Sequence, residues 1–371
     1  MKIVTILGAR PQFIKAAPVC RAFRSAISVD SPIEEFLLHT GQHYDREMSQ
    51  LFFDDLGLPK PDVNLGIGGS ITPNSHGSQT GTMLIGIEAV LDQVKPDWVL
   101  VYGDTNSTLA GALAAVKLNI PVAHVEAGLR SFNRRMPEEH NRVLTDHCAE
   151  LLFCPTQTAV QNLQREGLSA GVYWTGDVMY DAALQFGELA SQHSKILRDL
   201  GLQPRQYLLL TLHRAYNTDD PNRLRALLAA MAQLELPVIW PLHPRTRKKL
   251  AEFDLLNQLP DEKLLIIPPV GYLDMLSLEQ NALRILTDSG GVQKEAYFYA
   301  VPCITLRPET EWIETVQVGW NRLVDINPEQ IIWAASQAEW PGSPPPPVFG
   351  SGEAANEIVK ILLDFPIRRM D

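Results

Sequence analysis

The segment from His124 to Arg142, HVEAGLRSFNRRMPEEHNR, follows an apolar run and is rich in side chains that can do chemistry. It contains three carboxylates and four arginines. Carboxylates in a partly desolvated setting act as general acid and base, and arginines bind anionic ligands through charge-assisted hydrogen bonds. A solvated surface loop has a similar composition. The predicted secondary structure around the segment is therefore needed to tell a catalytic segment from a solvated loop.

Short apolar runs separated by helix-length segments predict the elements that carry these side chains. The runs lie at residues 3–7, 35–39, 98–102, 121–125, 151–154, 172–174, 207–212, 237–240, 264–267, 283–286, 302–306 and 322–324. Unalternating runs rich in Val, Ile and Leu are typical of parallel strands that helices cover on both faces. The sequence therefore predicts an α/β protein with two doubly wound, Rossmann-like domains that face a cleft. We place the N-terminal domain at 1–185 and the C-terminal domain at 186–350, and we expect a closing helix within 351–371 to return to the N-terminal domain.

Polar, charged and glycine residues follow almost every predicted strand. In doubly wound sheets, ligands bind beyond the carboxyl ends of the strands, so these residues are the candidates for a site. They are GARP at 8–11, TGQH at 40–43, GDTNST at 103–108, EAG at 126–128, LHR at 212–214, LHPR at 242–245, DSGG at 288–291 and RPE at 307–309. So many polar strand ends together indicate one shared binding site.

The turn Ser289-Gly290-Gly291 joins a predicted strand directly to a predicted helix. Free backbone N–H groups and the positive end of the helix dipole at such a turn suit a diphosphate. Glu295 lies one turn into the helix and can accept hydrogen bonds from ribose hydroxyls. A tight turn with a solvated glutamate is the alternative. Neither the P-loop nor the dinucleotide-binding glycine pattern occurs, and we predict no metal and no cofactor.

The composition limits the classes of partner. The chain has 371 residues, 45% of them hydrophobic, and a formal net charge of −11. A negative protein disfavours nucleic acid and anionic membranes, so an anionic ligand needs a local cluster of cations. The four cysteines lack metal or disulfide spacing, and no apolar stretch is long enough to span a membrane. We predict a soluble cytoplasmic protein.

Several motifs together resemble the non-hydrolysing UDP-N-acetylglucosamine 2-epimerases. They are, in order, GARPQFIK, TGQHYDREM, VYGDTNSTLAGALAA, HVEAGLRS, MPEEHNR, GDVMYDA, LTLHRAYNTDDP, LHPRTRK and LTDSGGVQKEA. The resemblance implies a fold like that of the GT-B glycosyltransferases, a homodimer, and a role in polysaccharide biosynthesis. It also implies interconversion of UDP-GlcNAc and UDP-ManNAc without NAD or metal, by elimination of UDP to 2-acetamidoglucal and re-addition on the other face.

The resemblance assigns roles to particular residues. The catalytic candidates are Asp104, Glu126, Glu138 and His213; the substrate and UDP-binding candidates are Arg10, Lys15, Arg142, Ser289, Gly290, Gly291 and Glu295; Gln42 and His43 match a regulatory UDP-GlcNAc site found in some members. Structural alternatives stay open for four of them. Asp104 can cap a helix, Glu126 and Glu138 can form structural pairs with arginine, and His213 can be a structural histidine.

The chain departs from the common family pattern in the second domain. Where that pattern is Arg-Asp-x-Thr-Glu-Arg-Pro-Glu, residues 307–315 read RPETEWIET, so Trp312 replaces an arginine that contacts the nucleotide. A late YGDG element likewise reads FGSG. The long shared blocks resemble the branch that includes the UDP-2,3-diacetamido-2,3-dideoxyglucuronate 2-epimerases. Arg134 and Arg135 could pair with the carboxylate of such a uronate, or form a solvated patch.

Three competing functions stay open. A glycosyltransferase of the same fold would share Glu295, but retaining members carry a second glutamate eight residues earlier, where this chain has Thr287. A UDP-sugar sensor would have no need of acid and base groups. A hydrolysing relative would release UDP and free N-acetylmannosamine, and only analysis of the products distinguishes it.

Overall fold

The chain forms two compact units in a computed structural model that describes residues 1–26, 33–42, 56–70, 75–259 and 263–366. Unit 1 comprises Met1–Ala182 and Pro347–Asp371, and unit 2 comprises Ala183–Pro346. Unit 1 is therefore built from two separated parts of the chain.

Unit 1 contains a parallel sheet whose strand order is β3-β2-β1-β4-β5-β6-β7. The strands are β1 (Lys2–Leu7), β2 (Glu34–His39), β3 (Val63–Asn64), β4 (Trp98–Tyr102), β5 (Val122–Val125), β6 (Leu151–Cys154) and β7 (Val172–Trp174). Its helices within the described residues are α1 (Arg10–Ala26), α2 (His76–Val94), α3 (Asn106–Lys117), α4 (Pro137–Cys148), α5 (Gln157–Arg165) and α6 (Val178–His193), which continues into unit 2. A short 3₁₀ helix spans Ile67–Ser70.

Unit 2 contains a second parallel sheet, with the order β10-β9-β8-β11-β12-β13. Its strands are β8 (Leu208–Thr211), β9 (Val238–Pro241), β10 (Leu264–Ile267), β11 (Arg284–Thr287), β12 (Cys303–Thr305) and β13 (Asn321–Leu323). The helices are α7 (Ile196–Asp199), α8 (Ala215–Thr218), α9 (Pro221–Gln233), α10 (Pro244–Glu252), α11 (Tyr272–Asn281), α12 (Gly290–Phe298), α13 (Ile313–Gln317) and α14 (Pro328–Ser336), with a 3₁₀ helix at Leu256–Gln258.

The predicted doubly wound α/β class is confirmed in both units. Each predicted run lies on a strand whose ends differ from the prediction by one residue at most, and β3 is a further strand that the pattern did not indicate. In each sheet the strand order reverses once, between β1 and β4 and between β8 and β11. Such switch points are where ligands bind in open α/β sheets.

The last helix, α15 (Ala354–Asp364), packs on α1 in unit 1. The carboxylate of Asp181 accepts hydrogen bonds from the amides of Ala354 (3.2 Å) and Ala355 (2.7 Å), which caps the N-terminus of this helix. Beyond its other end, the ring of Phe365 contacts Trp98 edge-on at 5.8 Å. In the part of the chain that the structure describes, no helix combines the length and apolarity needed to cross a membrane.

Candidate active site

Asp104 lies in the turn between β4 and α3, beside the switch point of the first sheet. Thr105, not Asp104, is the N-cap of α3, because its side chain accepts a hydrogen bond from the Thr108 amide. The capping alternative for Asp104 is therefore wrong. Its carboxylate instead pairs with the guanidinium of Arg142 on α4, and its carbonyl accepts a 2.9 Å hydrogen bond from the Asn141 side chain.

Glu126 follows β5, the neighbour of β4 in the sheet. Its backbone has a φ of +72°, a left-handed conformation that is uncommon for a residue with a side chain. The buried carboxylate lies 2.6 Å from Nζ of Lys15 on α1. A Cβ at Gly103 would lie 3.1 Å from that Nζ and 3.4 Å from Oε1 of Glu126. The end of β4 thus brings the Glu126–Lys15 pair close to the Asp104 turn.

Two adjacent glutamates at the start of α4 have different environments. Glu139 is buried, and its carboxylate accepts hydrogen bonds from Ser131, the Phe132 amide and Arg142 at 2.8–3.0 Å. The carboxylate of Glu138 is half-buried and makes no hydrogen bond or ion pair with the described residues. Glu139 therefore has the structural, arginine-paired role that the sequence left open for Glu138.

Arg10 begins α1 directly after β1, and Gln12 organises the turn in front of it. The side-chain oxygen of Gln12 accepts hydrogen bonds from the Gly8 and Ala9 backbone amides at 2.8 and 2.9 Å. The side-chain NH₂ group of Gln12 donates to the Tyr102 backbone carbonyl and to the Thr108 hydroxyl. Sequence reasoning missed Gln12, although it stands inside the GARPQFIK motif, because its partners are on β4 and α3.

The candidate regulatory residues are described only in part. Gln42 accepts hydrogen bonds from the Ser107 amide (3.1 Å) and hydroxyl (2.7 Å), so its side chain supports the first turn of α3. His43 lies outside the described residues.

In unit 2, the Ser289-Gly290-Gly291 turn joins β11 to α12, as the sequence predicted. The Ser289 hydroxyl caps the helix by accepting from the Val292 amide. A Cβ at Gly290 would lie 2.6 Å from Oε1 of Glu311 and 3.3 Å from Nε1 of Trp312. At Gly291 the nearest atom would be Oγ of Ser289 at 3.8 Å. A Cβ at 290 would therefore displace the Glu311 carboxylate, whereas at 291 the chain itself leaves room beside the helix N-terminus.

Glu295 is buried on α12 and accepts a 3.0 Å hydrogen bond from the Tyr272 hydroxyl, so it is not a solvated side chain. Burial raises the pKa of Tyr272 well above its usual value, which keeps the phenol a donor. Glu279, on the same helix as Tyr272, is fully buried, and its carboxyl oxygens have no hydrogen-bond partner among the described residues. Burial and then the Glu295 charge raise the pKa of Glu279 well above its usual value.

His213 follows β8, at the switch point of the second sheet. Its backbone amide donates to Asp288 at 3.1 Å, and its Nδ1 lies 3.5 Å from the same carboxylate. The side chain is 41% exposed. Partial burial lowers the pKa of the imidazole, and Asp288 opposes that shift. The imidazole therefore favours its neutral form. The backbone of His213 is held by its hydrogen bond to Asp288, and the half-exposed ring is accessible to a ligand.

Trp312, the departure from the family pattern, is buried beside the glycine turn. The Nζ of Lys294, itself buried on α12, lies 4.1 Å from the centre of the Trp312 ring, a cation–π geometry. Glu311 lies 3.0 Å from Arg307. The position where the family pattern has arginine therefore still has a cation beside it. That cation is Lys294, which contacts the Trp312 ring from α12.

The fold places this chain in the class of doubly wound α/β proteins with two Rossmann-like units, the architecture of the GT-B nucleotide-sugar enzymes. A family model described as UDP-N-acetylglucosamine 2-epimerase matches residues 25–363. The chain belongs to the UDP-N-acetylglucosamine 2-epimerase family, and the predicted resemblance is confirmed.

Individual relatives match over nearly the full length. A UDP-N-acetylglucosamine 2-epimerase homolog of Methanococcus maripaludis is 52% identical, over 98% of this chain and 99% of the relative. The UDP-2,3-diacetamido-2,3-dideoxy-D-glucuronate 2-epimerase of Pseudomonas aeruginosa is 47% identical over the same shares. The crystal structure of the Methanocaldococcus jannaschii UDP-GlcNAc 2-epimerase in complex with UDP-GlcNAc and UDP matches with a TM-score of 0.86 and 47% identity, over 98% of this chain and 99% of that one.

Proposed function

We propose that this protein epimerises a UDP-N-acetyl sugar at C2, interconverting UDP-GlcNAc and UDP-ManNAc without hydrolysis. The observation that carries the proposal is the pair of oriented carboxylates at adjacent strand ends, Asp104 with Arg142 and Glu126 with Lys15. A cation fixes the orientation of each carboxylate. Inversion at C2, the carbon that carries the acetamido group, needs two such carboxyl groups, one for each face of the sugar.

The reaction proceeds by elimination and re-addition. One carboxylate removes the proton from C2 while the C1–O bond to UDP breaks, which gives 2-acetamidoglucal and UDP. UDP then adds back at C1, and a second carboxylic acid delivers a proton to C2 on the opposite face. Asp104, Glu126 and Glu138 are the three candidates for these two roles, because each is a carboxylate near the ends of β4 and β5 or at the start of α4.

The leaving group carries its charge on the diphosphate. In unit 1, Arg10, Lys15 and Arg142 are the cations assigned to the substrate, and the last two are also paired with the carboxylates of Glu126 and Asp104. In unit 2, the Ser289-Gly290-Gly291 turn binds phosphate oxygens, and Glu295 accepts from the ribose. Tyr272 holds the Glu295 carboxylate in place for that bond. His213 contributes a neutral imidazole to the same reaction.

A second substrate is supported by one observation. The relative from Pseudomonas aeruginosa acts, by its name, on UDP-2,3-diacetamido-2,3-dideoxy-D-glucuronate. Arg134 and Arg135 are exposed in the loop between Glu126 and α4, where they can meet the carboxylate of a uronate. We therefore keep the same chemistry on this sugar as the second candidate.

The remaining expectations are proposals of the same kind. We infer a homodimer and a role in polysaccharide biosynthesis from the family. A cytoplasmic location agrees with four free cysteines, three of which are buried. A regulatory site at Gln42 and His43 stays a proposal.

The test is a proton NMR time course of the purified protein with UDP-GlcNAc in deuterium oxide. We expect UDP-ManNAc to appear with deuterium at C2, since the abstracted proton exchanges with solvent. Free N-acetylmannosamine with UDP would show a hydrolysing enzyme instead. If nothing changes, the diacetamido uronate is the next substrate to add, and inertness toward both would contradict the proposal.

A further inference from the structure

Phe132 lies in the loop between β5 and α4 and combines two unusual features. Its backbone has a φ of +57°, in the left-handed region where a residue with a bulky side chain is rare. The residue is 73% exposed, more than any other large apolar residue in the described part of the chain. Its ring therefore gains little burial within its own chain to offset the strained backbone.

A buried carboxylate holds this backbone conformation. Oε2 of Glu139 accepts hydrogen bonds from the amide (2.9 Å) and the hydroxyl (2.8 Å) of Ser131. Oε1 accepts from the Phe132 amide at 2.9 Å. The side chain of Glu139 is only 6% exposed. Three hydrogen bonds to one buried side chain thus fix the loop, so the fold itself determines the conformation of Phe132.

Phenylalanine is a costly choice for this position. Glycine, asparagine and aspartate adopt the left-handed conformation with little strain, whereas a bulky side chain raises the free energy there. Strained backbone conformations persist where the surrounding structure over-determines them, and they cluster at ligand sites. The contact that favours an aromatic ring at 132 must therefore be made outside the chain.

Glu139 also connects the Phe132 loop to the candidate site. Its Oε2 accepts a 3.0 Å hydrogen bond from Arg142, and the other terminal nitrogen of that guanidinium pairs with the Asp104 carboxylate. One buried carboxylate thus contacts both the loop that carries Phe132 and the arginine that orients Asp104. A sugar whose C2 lies at Asp104 carries its acetamido group on that same carbon, so this group is the part of the sugar nearest to the reacting position.

The surroundings of Phe132 favour a small apolar group over a protein surface. Ser131 and Asn133 flank it in the sequence, and the next two residues are the exposed Arg134 and Arg135. Protein partners dock on contiguous apolar patches, whereas a single aromatic ring among polar residues suits one methyl group. The methyl is the apolar end of the acetamido group at C2.

We infer that Phe132 determines specificity for the acetamido group, because its ring packs on the acetamido methyl of the bound UDP-sugar. The inference rests on the proposed function, and it applies to both candidate substrates, since each carries an acetamido group at C2. Phe132 takes no part in proton transfer. Its contact is the same in the substrate and in the transition state, so it affects KM and leaves kcat nearly unchanged.

Phe132→Asn separates this role from a structural one. Asparagine tolerates the left-handed backbone, so the melting temperature should equal or exceed that of wild type. The KM for UDP-GlcNAc should rise on the order of 10-fold, the effect of one lost methyl-sized contact, with kcat nearly unchanged. Phe132→Tyr keeps the ring and should restore a KM close to that of wild type. A lower melting temperature for Phe132→Asn, or an unchanged KM, would overturn the inference.

Lys95→Asn is the matched control. Lys95 is exposed and ends α2 with a φ of +49°, so the variant relieves the same kind of backbone strain. It precedes β4, at the opposite end of that strand from Asp104. We expect an equal or higher melting temperature and a wild-type KM. A rise in KM as large as that of Phe132→Asn would show that relief of strain, and not loss of the ring, weakens binding.

UDP-glucose has a hydroxyl where the substrate has the acetamido group, and it identifies the group that the ring contacts. The inhibition constants of UDP-glucose and of UDP, as competitive inhibitors, should be the same in wild type and in Phe132→Asn. If these two ligands weaken as much as UDP-GlcNAc does, the ring does not recognise the acetamido group and the inference is wrong.

Failure of the proposed function would give a different result. Wild type would then leave UDP-GlcNAc unchanged, and calorimetry on the unconverted sugar would measure the same selectivity. Binding of UDP-GlcNAc to Phe132→Asn that is weaker by about 10-fold, with UDP-glucose binding unchanged, would support the role of Phe132 even so. Equal binding of UDP-GlcNAc to wild type and variant would overturn it.

Discussion

At the scale of single residues, acid and base roles depend on which carboxylates are already engaged in the folded chain. Glu138 and Glu139 are neighbours in the sequence, and no residue pattern distinguishes them. The fold does so, because the first turn of α4 directs Glu139 toward Ser131, Phe132 and Arg142 and leaves the carboxylate of Glu138 without a partner among the described residues.

This pair gives a matched prediction. Glu139→Gln should lower the free energy of unfolding by about 1–3 kcal/mol, since a neutral amide cannot replace all the charge-assisted bonds. Glu138→Gln should leave the melting temperature unchanged and lower kcat. Thermal unfolding and steady-state kinetics on both variants decide it. The roles would be reversed if Glu138→Gln were the unstable variant and Glu139→Gln the slow one.

Asp104 and Glu126 lead to a second prediction at this scale. Asp104→Asn and Glu126→Gln should lower turnover by about 10²–10⁴-fold, the usual contribution of a general acid or base. UDP affinity, measured by calorimetry, should stay nearly intact, because neither carboxylate is assigned to the nucleotide. Asp199→Asn, at an exposed position on α7, serves as control. A near wild-type rate in either site variant would remove that residue from the mechanism.

At the scale of the elements, the strands were predictable because parallel strands buried on both faces give unbroken apolar runs. β4, from Trp98 to Tyr102, is buried at every position. β3 escaped prediction because two residues, Val63 and Asn64, are too few for a pattern.

The supporting side chains of the site were not predictable in the same way. Gln12 bonds to Tyr102 and Thr108, which lie 90 and 96 residues away in the sequence. Nδ1 of His124 lies 2.7 Å from Oδ1 of Asp146, which is 22 residues further along the chain. Motifs mark such residues, but only the packing of helix on sheet shows which atoms meet.

The cap of α15 gives a prediction about pH. Burial raises the pKa of Asp181 from 3.8 to about 6, although the hydrogen bonds from the Ala355 and Ala354 amides lower it. A raised pKa means that the folded state binds the proton more tightly than the unfolded chain does. The stabilisation from Asp181 is therefore complete below pH 3.8 and is lost as the pH rises through about 6.

Asp181→Asn removes this dependence. The free energy of unfolding of the wild type, relative to Asp181→Asn, should fall by about 2 kcal/mol between pH 4 and pH 7. Urea unfolding at several pH values measures the difference, with the exposed Asp364→Asn as control. A difference that stays constant or grows with pH would contradict the assignment.

At the scale of the whole molecule, unit 1 is completed by a segment that follows unit 2 in the sequence. Leu362 on α15 is fully buried, whereas the next residue, Leu363, is 38% exposed. Leu362→Ala should destabilise the protein by about 2–5 kcal/mol, and Leu363→Ala should have little effect.

Hydrogen exchange locates that loss of stability. Peptides from α1 and β4, in unit 1, should exchange faster in Leu362→Ala, while β8 and β11, in unit 2, keep their protection. Leu363→Ala should exchange as wild type. Equal loss of protection in both units would mean that they unfold as one cooperative body.

The discontinuous path of unit 1 also affects the order of events on the ribosome. Domains usually fold from the N-terminus as they are synthesised. Here α15, which packs on α1 and is capped by Asp181, is made only after all of unit 2. Unit 2 is contiguous, so it can finish folding while the nascent unit 1 still presents the apolar face of α1 to chaperones. Unit 1 thus begins synthesis before unit 2 and is completed after it.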